Sequence, residues 1–369
     1  MNIISDANIG GAGRVLLNYL KQYNKAQFEM SVVIPHGSLL KDLLAELGVK
    51  IYEADTIADK SFALKSIKEL KTIITGANPD IVHTHGSLSG RVAAKKCGKA
   101  VVFTRHSVFP VSPLIRKGPG RLVNKLLNER YADRIIAVSP AAKINLTDGG
   151  ISDSLIDVVM NGTQPMTRVS ETERLRLRNG LGITEFAAGI LARIEDYKGH
   201  MLILDAAKML KDEGRKIKIL IAGAGPYEDD VRAHISELGL SDTVLFLGFV
   251  EDVQSLLNIL DVQLNASYGT EATSMSLIEG MSIGLPAIVS DYGGNPYVIQ
   301  DGENGLVFKS RDSVDLKECL ERLMGNPDYL KTLGERAIET YNKNFTVETF
   351  VQNTEKVYQK ALEVKNHGK

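Results

Sequence analysis

Residues 262–281 read VQLNASYGTEATSMSLIEGM, and this stretch contains the transition that decides the fold. Val262–Asn265 is a short apolar run typical of a buried strand, and the residues from about Ser274 to Ile283 have the composition of a helix. A helix that begins near Ser274 presents free backbone amides and the positive end of its dipole. The stretch therefore predicts an anion site, suited to a diphosphate, at the carboxyl end of a strand.

Two carboxylates, Glu271 and Glu279, frame this helix start. If the residues between them are largely helical, a rise of roughly 1.5 Å per residue separates the carboxylates by about 10 Å or somewhat less. One carboxylate can then hold a ribose and the other a sugar at opposite ends of a diphosphate. The alternative is that both are solvated surface residues. Glu279 argues against it, because it lies in the apolar run 277–281, where an unpartnered charge is costly.

The rest of the chain repeats the same strand-to-helix rhythm. Short apolar runs alternate with amphipathic segments in both halves, which predicts an α/β protein with parallel sheets covered on both faces. The length of 369 residues suits two domains, and 44% hydrophobic residues allow each domain a core of its own. Parallel sheets of this type bind ligands at the carboxyl ends of their strands, so two facing Rossmann-like domains predict a site in the cleft between them.

A polar stretch, Thr163–Glu173, separates the two halves. We expect residues 1–163 to form the first domain, joined by a C-terminal helix within 345–369, and residues 164–344 to form the second. The amphipathic part of that helix is predicted at Phe345–Val364.

Composition excludes several other classes of protein. The formal net charge is -1, which gives no global field for nucleic acid, and Cys97 and Cys319 lack the spacing of a disulfide framework or a zinc site. The sequence contains no run of 18 apolar residues and no signal-peptide pattern at Met1. We therefore expect a cytoplasmic protein that requires no metal or other cofactor.

The second half contains two further candidate features at strand ends. Arg193 and Lys198 follow the first strand and can neutralise a departing diphosphate, although basic residues before a helix are also common on surfaces. Gly223 and Gly225 follow the next strand and allow a nucleotide to approach closely. The full dinucleotide-binding glycine pattern fails because residue 228 is glutamate, which makes a nicotinamide oxidoreductase the weakest alternative.

The first half offers a glycine-rich turn and three histidines. Gly10 and Gly11 can bring a loop close to a phosphate, or simply form a tight turn. His83 and His85 end one predicted strand, and His106 follows another; each can contact a sugar hydroxyl or serve a structural role. We expect His83 and His85 to point to opposite faces of their strand, so that at most one of them faces a ligand.

Residues 108–130 read VFPVSPLIRKGPGRLVNKLLNER and mix apolar with basic side chains. Such a segment can touch anionic lipid, which makes the inner face of the cytoplasmic membrane a candidate partner. The plainer interpretation is a solvated helix packed on one side.

Taken together, these motifs resemble the retaining glycosyltransferases of family 4, which have the GT-B fold, and in particular those of bacterial capsule and exopolysaccharide synthesis. The resemblance covers nearly the whole chain and rests on several motifs in register: GGAGR, HTHGSLSG, TRHS, ARIEDYKGH, IAGAGPYEDDV, FLGFVEDV and EATSMSLIEGMSIGLPAIVSDYGG. It implies two Rossmann-like domains and a C-terminal helix that crosses back to the first.

The resemblance also implies roles for single residues. Arg193 and Lys198 match the pair that binds the donor diphosphate, Glu271 the carboxylate that holds donor-sugar hydroxyls, and Glu279 the one that holds the ribose. The amides around Met275 and Ser276 match those that cap the phosphate, and the donor-binding segment is expected to include Thr273, Ser274, Met275 and Ser276.

In the first domain, Gly10 and Gly11 match a flexible loop beside the diphosphate, and His106 matches a histidine near the transferred sugar. His106, Arg193, Lys198 and Glu271 are thus the expected catalytic residues, and Gly223 and Gly225 are added to the donor-binding set. The chain departs from the family at Tyr297, where a glutamate is usual.

The implied reaction moves a hexose or N-acetylhexosamine from a nucleotide-diphosphate sugar, most often UDP-linked, to a glycan or lipid-linked acceptor hydroxyl with retention of configuration. Neither glutamate is expected to act as a nucleophile; instead the departing diphosphate takes the acceptor proton. Two alternatives remain open from the sequence: a non-catalytic nucleotide-binding module and a sugar-nucleotide epimerase on the same scaffold.

Overall fold

The computed structural model describes residues 1–59 and 61–367, and within them the chain forms two compact units. The first unit contains Met1–Thr163 and the segment from Thr346 onward, and the second contains Gln164–Phe345. Residues 368 and 369, which we included in the predicted C-terminal segment, lie outside the described residues. Among the helices described, none combines the length and the apolar character needed to cross a membrane.

The first unit is built on a seven-stranded parallel sheet with the strand order β3-β2-β1-β4-β5-β6-β7. Its strands are β1 (Asn2–Ile4), β2 (Ser31–Pro35), β3 (Lys50–Ala54), β4 (Ile81–His85), β5 (Ala100–Arg105), β6 (Arg134–Ala137) and β7 (Ile156–Val158). Its helices are α1 (Gly11–Gln22), α2 (Leu40–Glu46), α3 (Leu64–Ala77), α4 (Leu88–Lys96), α5 (Pro113–Arg116), α6 (Gly118–Arg130) and α7 (Pro140–Asp148).

The second unit is built on a six-stranded parallel sheet with the order β10-β9-β8-β11-β12-β13. Its strands are β8 (Phe186–Leu191), β9 (Ile217–Ala222), β10 (Val244–Gly248), β11 (Val262–Asn265), β12 (Ala287–Ser290) and β13 (Gly305–Phe308). Its helices are α8 (Glu171–Gly180), α9 (His200–Asp212), α10 (Glu228–Glu237), α11 (Val253–Ile259), α12 (Met275–Ser282), α13 (Asn295–Val298), α14 (Ser313–Met324) and α15 (Pro327–Asn344).

The last helix, α16 (Val347–His367), belongs to the first unit although it follows the second in sequence. It packs against α1 and against β4, β5 and β6. Its own side of the interface includes the buried residues Phe350, Val357, Tyr358 and Ala361. The predicted return of the C-terminal helix to the first domain is thus confirmed, with its start two residues later than expected.

Both sheets reverse their strand order next to their first strand, and this fixes where a ligand can bind. In the second unit β8 pairs with β9 on one side and with β11 on the other, all in parallel. The loops after β8 and β11 therefore leave the sheet in opposite directions and open a crevice at the carboxyl edge. The helices that follow both strands, α9 and α12, begin at this edge.

Apolar burial explains why these segments pack as strands and helices. In the second unit a core of aliphatic residues from β8, β9 and β11 continues into α9 and α14, for example Ile190, Ile219, Leu204 and Leu316. Nearly continuous apolar runs are what a parallel sheet covered on both faces requires. The predicted fold class is confirmed, whereas β7 and β13 were not recognised as strands in the sequence.

Candidate functional site

The crevice of the second unit holds an ion pair between Lys198 and Glu271. Lys198 ends a short 3₁₀ turn (Asp196–Lys198) after β8, and Glu271 lies in the loop after β11. The Lys198 Nζ donates a hydrogen bond to Glu271 Oε2 at 2.8 Å. The side chain of Glu271 is 6% exposed and that of Lys198 is 19% exposed. The two residues that the sequence placed at different strand ends therefore meet at the strand-order reversal.

A polar network holds the Glu271 carboxylate in place. Besides Lys198, Ser267 Oγ donates to Glu271 Oε2 at 3.0 Å and Asn265 Nδ2 donates to it at 3.3 Å. Burial acts to raise the pKa of Glu271, but the charge of Lys198 and these hydrogen bonds outweigh it, and the pKa is lowered. The carboxylate is therefore ionised, and none of these three bonds uses Oε1.

The two loops that carry Lys198 and Glu271 are tied to each other. The Tyr268 backbone N–H donates to the Tyr197 carbonyl at 2.8 Å, and the Tyr268 hydroxyl donates to Asp196 Oδ1 at 2.6 Å. Burial and the bond to Asp196 raise the pKa of Tyr268 to about 12, so the hydroxyl keeps its proton. These bonds fix Lys198 relative to Glu271 before any ligand binds.

Sequence reasoning missed the residues behind this pair. Asn265 Oδ1 accepts from the Ser267 backbone N–H at 3.1 Å, and Asn295 Nδ2 donates to Asn265 Oδ1 at 3.4 Å. All three side chains are buried, with exposures from 1% to 8%. Buried amides and hydroxyls must be hydrogen-bonded, so the Asn265 that ends an apolar strand was a signal that the sequence analysis passed over.

Helix α12 begins beside the carboxyl end of β8, where the sequence predicted an anion site. Its N-cap is Ser274, whose hydroxyl lies 3.1 Å from that of Ser276, and Ser276 Oγ donates to the Leu191 carbonyl at 3.2 Å. Thr273, Met275 and Glu279 are all partly exposed. The first amides of a helix have no partner within it, so this end directs donors and a positive dipole outward.

Arg193 follows β8 but is not part of the Lys198–Glu271 pair. Its side chain is 74% exposed, and its Nη2 lies 2.7 Å from Glu195 Oε1. The structure thus brings Lys198, Glu271 and the start of α12 to one edge of the sheet and leaves the Arg193 guanidinium on the surface. Its predicted contact with a diphosphate stays a prediction.

Gly223 and Gly225 have a packing reason to be glycine. A Cβ on Gly223 would lie 1.9 Å from the Ala192 carbonyl oxygen, and one on Gly225 would lie 2.1 Å from that of Ile194. Gly223 also has a φ of 147°, which favours glycine. The loops after β8 and β9 therefore pass too close for side chains, and this closeness shapes the same edge of the sheet.

The glycine-rich turn of the first unit forms the start of α1 rather than the loop before it. Gly10 is the N-cap, and a Cβ there would lie 2.8 Å from Asp6 Oδ2. A Cβ on Gly11, the first helical residue, would have no neighbour within 4 Å. Gly11 is exposed and has no side chain, so the start of α1 stays accessible.

The histidines of the first unit form a buried network, and one expectation about them was wrong. The rings of His83 and His85 are 4.4 Å apart between centroids, because residues two apart in a strand lie on the same face. His83 contacts the Tyr358 hydroxyl at 2.8 Å through Nδ1 and the Thr104 hydroxyl at 2.6 Å through Nε2. The network thus joins β4, β5 and α16.

His106, the predicted catalytic histidine, is held by this network. Its Nε2 lies 2.8 Å from His85 Nδ1, and His85 Nε2 lies 3.3 Å from Asn2 Oδ1. Burial lowers the pKa of His106 to about 4 and also lowers that of His85, so both rings are neutral near pH 7. Since Asn2 Oδ1 can only accept, His85 donates through Nε2 and accepts through Nδ1. His106 must then carry its proton on Nε2, which leaves Nδ1 as an acceptor.

The surface of α5 and α6 is apolar and unusually exposed. Neither helix has a buried residue. The exposed apolar side chains here are Phe109 (49%), Leu114 (81%), Leu122 (55%), Val123 (59%), Leu126 (56%) and Leu127 (37%). The basic residues beside them are Arg116, Lys117, Arg121, Lys125 and Arg130. Helix α6 is packed on one side, as the plainer interpretation expects, but through polar side chains such as Asn124 and Asn128, and its apolar side chains point outward.

Comparison with known proteins identifies the class to which this fold and site belong. A family model for "Glycosyltransferase Family 4" matches residues 9–165, and one for "Glycosyl transferases group 1" matches residues 173–340. The structure is also similar to Anabaena HepE in complex with UDP, with a TM-score of 0.83 at 20% identity over 97% of this chain and 99% of that one. These findings define a glycosyltransferase with the GT-B fold.

The two family models together cover most of the sequence, and the chain belongs to the family 4 glycosyltransferases. Among its relatives, the putative glycosyltransferase EpsD of Bacillus subtilis is 29% identical over 74% of each chain. An Escherichia coli enzyme named UDP-Gal:alpha-D-GlcNAc-diphosphoundecaprenol alpha-1,3-galactosyltransferase is 25% identical over 85% of each. The chain spans 62% of the D-inositol 3-phosphate glycosyltransferase of Nocardia farcinica, at 29% identity.

Proposed function

We propose that this enzyme transfers a hexose or N-acetylhexosamine from a UDP-sugar to a hydroxyl of a glycan or lipid-linked acceptor in surface-polysaccharide synthesis, with retention of configuration. The Lys198–Glu271 pair at the strand-order reversal is the observation that carries the proposal. A buried carboxylate held by three hydrogen-bond donors can accept hydrogen bonds from hydroxyl groups of the sugar that is transferred. The adjacent ammonium group of Lys198 can pair with the diphosphate of the same substrate. The UDP complex of HepE and the UDP-galactose in the name of the Escherichia coli relative favour uridine.

In the proposed mechanism, Lys198, Arg193 and the start of α12 stabilise the charge that develops on the leaving diphosphate. Arg193 would have to exchange its surface partner Glu195 for the ligand. Glu271 holds sugar hydroxyls, Glu279 holds the ribose, and the segment 273–276 caps the phosphates. An oxygen of the leaving diphosphate then takes the proton of the acceptor hydroxyl. The protein groups act mainly by positioning the donor and the acceptor.

We propose further that no metal ion or other cofactor is required, because Lys198, Arg193 and the helix dipole supply the positive charge that a metal would otherwise provide. Turnover should therefore be unchanged in excess EDTA. A rate that falls with EDTA and returns with Mg²⁺ would contradict this part of the proposal.

The donor can be identified by thermal-shift measurements with a panel of nucleotides and nucleotide sugars. A donor that binds the folded protein raises the melting temperature of the protein. The shift grows with the ratio of the donor concentration to its Kd. We expect UDP and one or two UDP-sugars to give the largest shifts, and proton NMR of the glycoside product to show the donor's anomeric configuration. Larger shifts with GDP- or ADP-linked sugars would overturn uridine, and an inverted product would overturn retention.

We propose that the α5–α6 surface contacts the anionic inner face of the cytoplasmic membrane, which would place the enzyme beside a lipid-linked acceptor. Exposed leucines surrounded by lysine and arginine are the combination that binds anionic bilayers. Co-sedimentation with phosphatidylglycerol vesicles should exceed that with phosphatidylcholine vesicles and should be lost in Leu122→Asp/Leu126→Asp. The control, Leu64→Asp, changes a leucine that is 76% exposed on α3 and should bind as wild type. Equal binding by all three proteins would contradict the proposal.

A further inference from the structure

Two arginines of the first unit, one buried and one half-buried, contact neutral groups and no carboxylate among the described residues. Arg91 lies on α4 and is 6% exposed, and Arg105 ends β5 and is half-buried. The Arg91 guanidinium lies over the ring of Phe103 at 4.2 Å, and that of Arg105 lies 5.5 Å from the ring of Phe109. Phe103 and Arg105 are two residues apart on β5 and therefore share a face, which puts both guanidinium groups on the same side of the sheet.

Their hydrogen bonds go to neutral groups. Arg91 Nη1 donates to Asn128 Oδ1 at 2.8 Å, and Arg105 Nη2 donates to Asn145 Oδ1 at 3.4 Å. The Nε–H of each is buried and has no acceptor among the described residues. Burial, and then the charge of Arg105, lowers the pKa of Arg91 to about 10, and burial lowers the pKa of Arg105.

Such an arrangement is unfavourable unless something else supplies negative charge. A buried ion is costly when it has no partner of opposite charge, and two like charges near each other add to that cost. The planar guanidinium group of arginine matches phosphate oxygens in geometry and charge. The contacts described above do not involve Nη2 of Arg91 or Nη1 of Arg105. The arrangement therefore suits a bound phosphate group, which would supply the negative charge.

We propose that Arg91 and Arg105 bind a phosphate or diphosphate group of the acceptor. The inference rests on the proposed function, because it names the acceptor class of that reaction. His106, proposed to lie near the transferred sugar, directly follows Arg105 in the chain. Asn128, the partner of Arg91, lies on α6, whose exposed apolar face is the proposed membrane contact. A lipid-linked sugar phosphate or diphosphate would thus meet the arginines beneath the surface on which its lipid is held.

The test uses inorganic pyrophosphate as the probe and saturating UDP in every sample, so that the proposed donor site is already filled. Under these conditions pyrophosphate should raise the melting temperature of the wild type further. Arg91→Met and Arg105→Met should each weaken pyrophosphate binding at least tenfold, as expected for the loss of a charge-assisted pair of bonds. Arg105 is the less buried of the two, so Arg105→Met keeps the test open if Arg91→Met does not fold.

The matched control is Arg176→Met, which removes an exposed arginine of α8 that is paired with Glu173. It should bind pyrophosphate as the wild type does. Equal pyrophosphate affinity in wild type, Arg91→Met and Arg105→Met would overturn the proposal. The proposal would also be overturned if Arg91→Met and Arg105→Met weakened binding only to phosphatidylglycerol vesicles. The bound phosphate would then be a lipid headgroup and not part of the acceptor.

The same data separate this inference from the proposed function. UDP alone should raise the melting temperature of wild type, Arg91→Met and Arg105→Met by the same amount. If UDP gives no shift with the wild type, the proposed donor fails, whereas arginine-dependent pyrophosphate binding would still stand as a property of the first unit.

Discussion

At the scale of single residues, the chemistry centres on a carboxylate that is buried and yet ionised. Glu271 keeps its charge because Lys198, Asn265 and Ser267 all donate to one of its oxygens. Removing one partner from such a group leaves the other charge poorly compensated. The pair is therefore a stabilising contact and the proposed donor site, and the two roles can be measured separately.

The pH dependence of stability should report the ionised Glu271. Because its pKa is lowered by folding, its stabilisation is complete above the ordinary carboxyl pKa and is lost as the pH falls through the lower folded-state value. Glu271→Gln should lower the free energy of unfolding of the second unit by about 1–3 kcal/mol at neutral pH. Urea denaturation should show this difference shrinking at acidic pH. A difference that is independent of pH, or equal in the exposed control Glu251→Gln, would contradict the assignment.

The tautomer of His106 provides a second prediction at this scale. His85→Asn keeps an oxygen near the position of Nδ1 and can still accept from His106 Nε2, whereas His85→Gln extends toward Asn2 and removes that acceptor. We expect His85→Asn to retain activity and His85→Gln to lower kcat roughly tenfold with little change in the donor KM. Nitrogen-15 NMR should show the Nε2–H form in wild type and His85→Asn. Equal activity and equal spectra in both variants would refute the role of His85.

The sequence predicted the positions of Lys198 and Glu271 at strand ends better than it predicted their surroundings. Lys198 and Glu271 could be paired because both follow strands, and the carboxyl ends of neighbouring parallel strands meet at one edge. Asn265 and Asn295 could not be added, because their contact joins the end of β11 to the start of α13, 30 residues further along the chain. The faces of His83 and His85 were predictable from strand geometry alone, and that prediction was wrong because the two-residue period was misapplied.

At the scale of elements, α16 stabilises the first unit through a polar contact as well as an apolar one. Tyr358 reaches the sheet and contacts His83 Nδ1, while the rest of the helix face is buried against α1 and the strands. The amphipathic spacing predicted this helix, but nothing in its sequence indicated which strand residue its tyrosine would meet.

Tyr358→Phe tests that contact. The change leaves His83 Nδ1 buried without a partner, which should cost roughly 1–3 kcal/mol. Hydrogen exchange of the β4 and β5 amides should accelerate accordingly, while amides of the second unit remain unchanged. Lys356→Ala, at an exposed position of the same helix, serves as the control and should leave exchange as in wild type. Unchanged protection of β4 in Tyr358→Phe would show that the contact contributes nothing to stability.

At the scale of the whole molecule, the alternation of strands and helices was sufficient to predict two Rossmann-like units. The strands that were missed, β7 and β13, lie at the edges of their sheets. The strand β7 (Ile156–Val158) has only three residues and its middle residue is aspartate, so its apolar signal is weak. The central strands β5 (Ala100–Arg105) and β8 (Phe186–Leu191) carry longer apolar runs, and both were predicted.

The central claim is that Lys198 and Glu271 form the donor site of a glycosyltransferase. The most direct test is the rate of UDP release from the donor identified by thermal shift, compared between Lys198→Ala and Lys208→Ala. Lys208 lies on α9 and pairs with Asp212 at its surface, so its loss should leave kcat/KM within about twofold of wild type. Lys198→Ala should fold and should lose at least about a hundredfold in kcat/KM. Near-wild-type turnover by a folded Lys198→Ala would contradict the account.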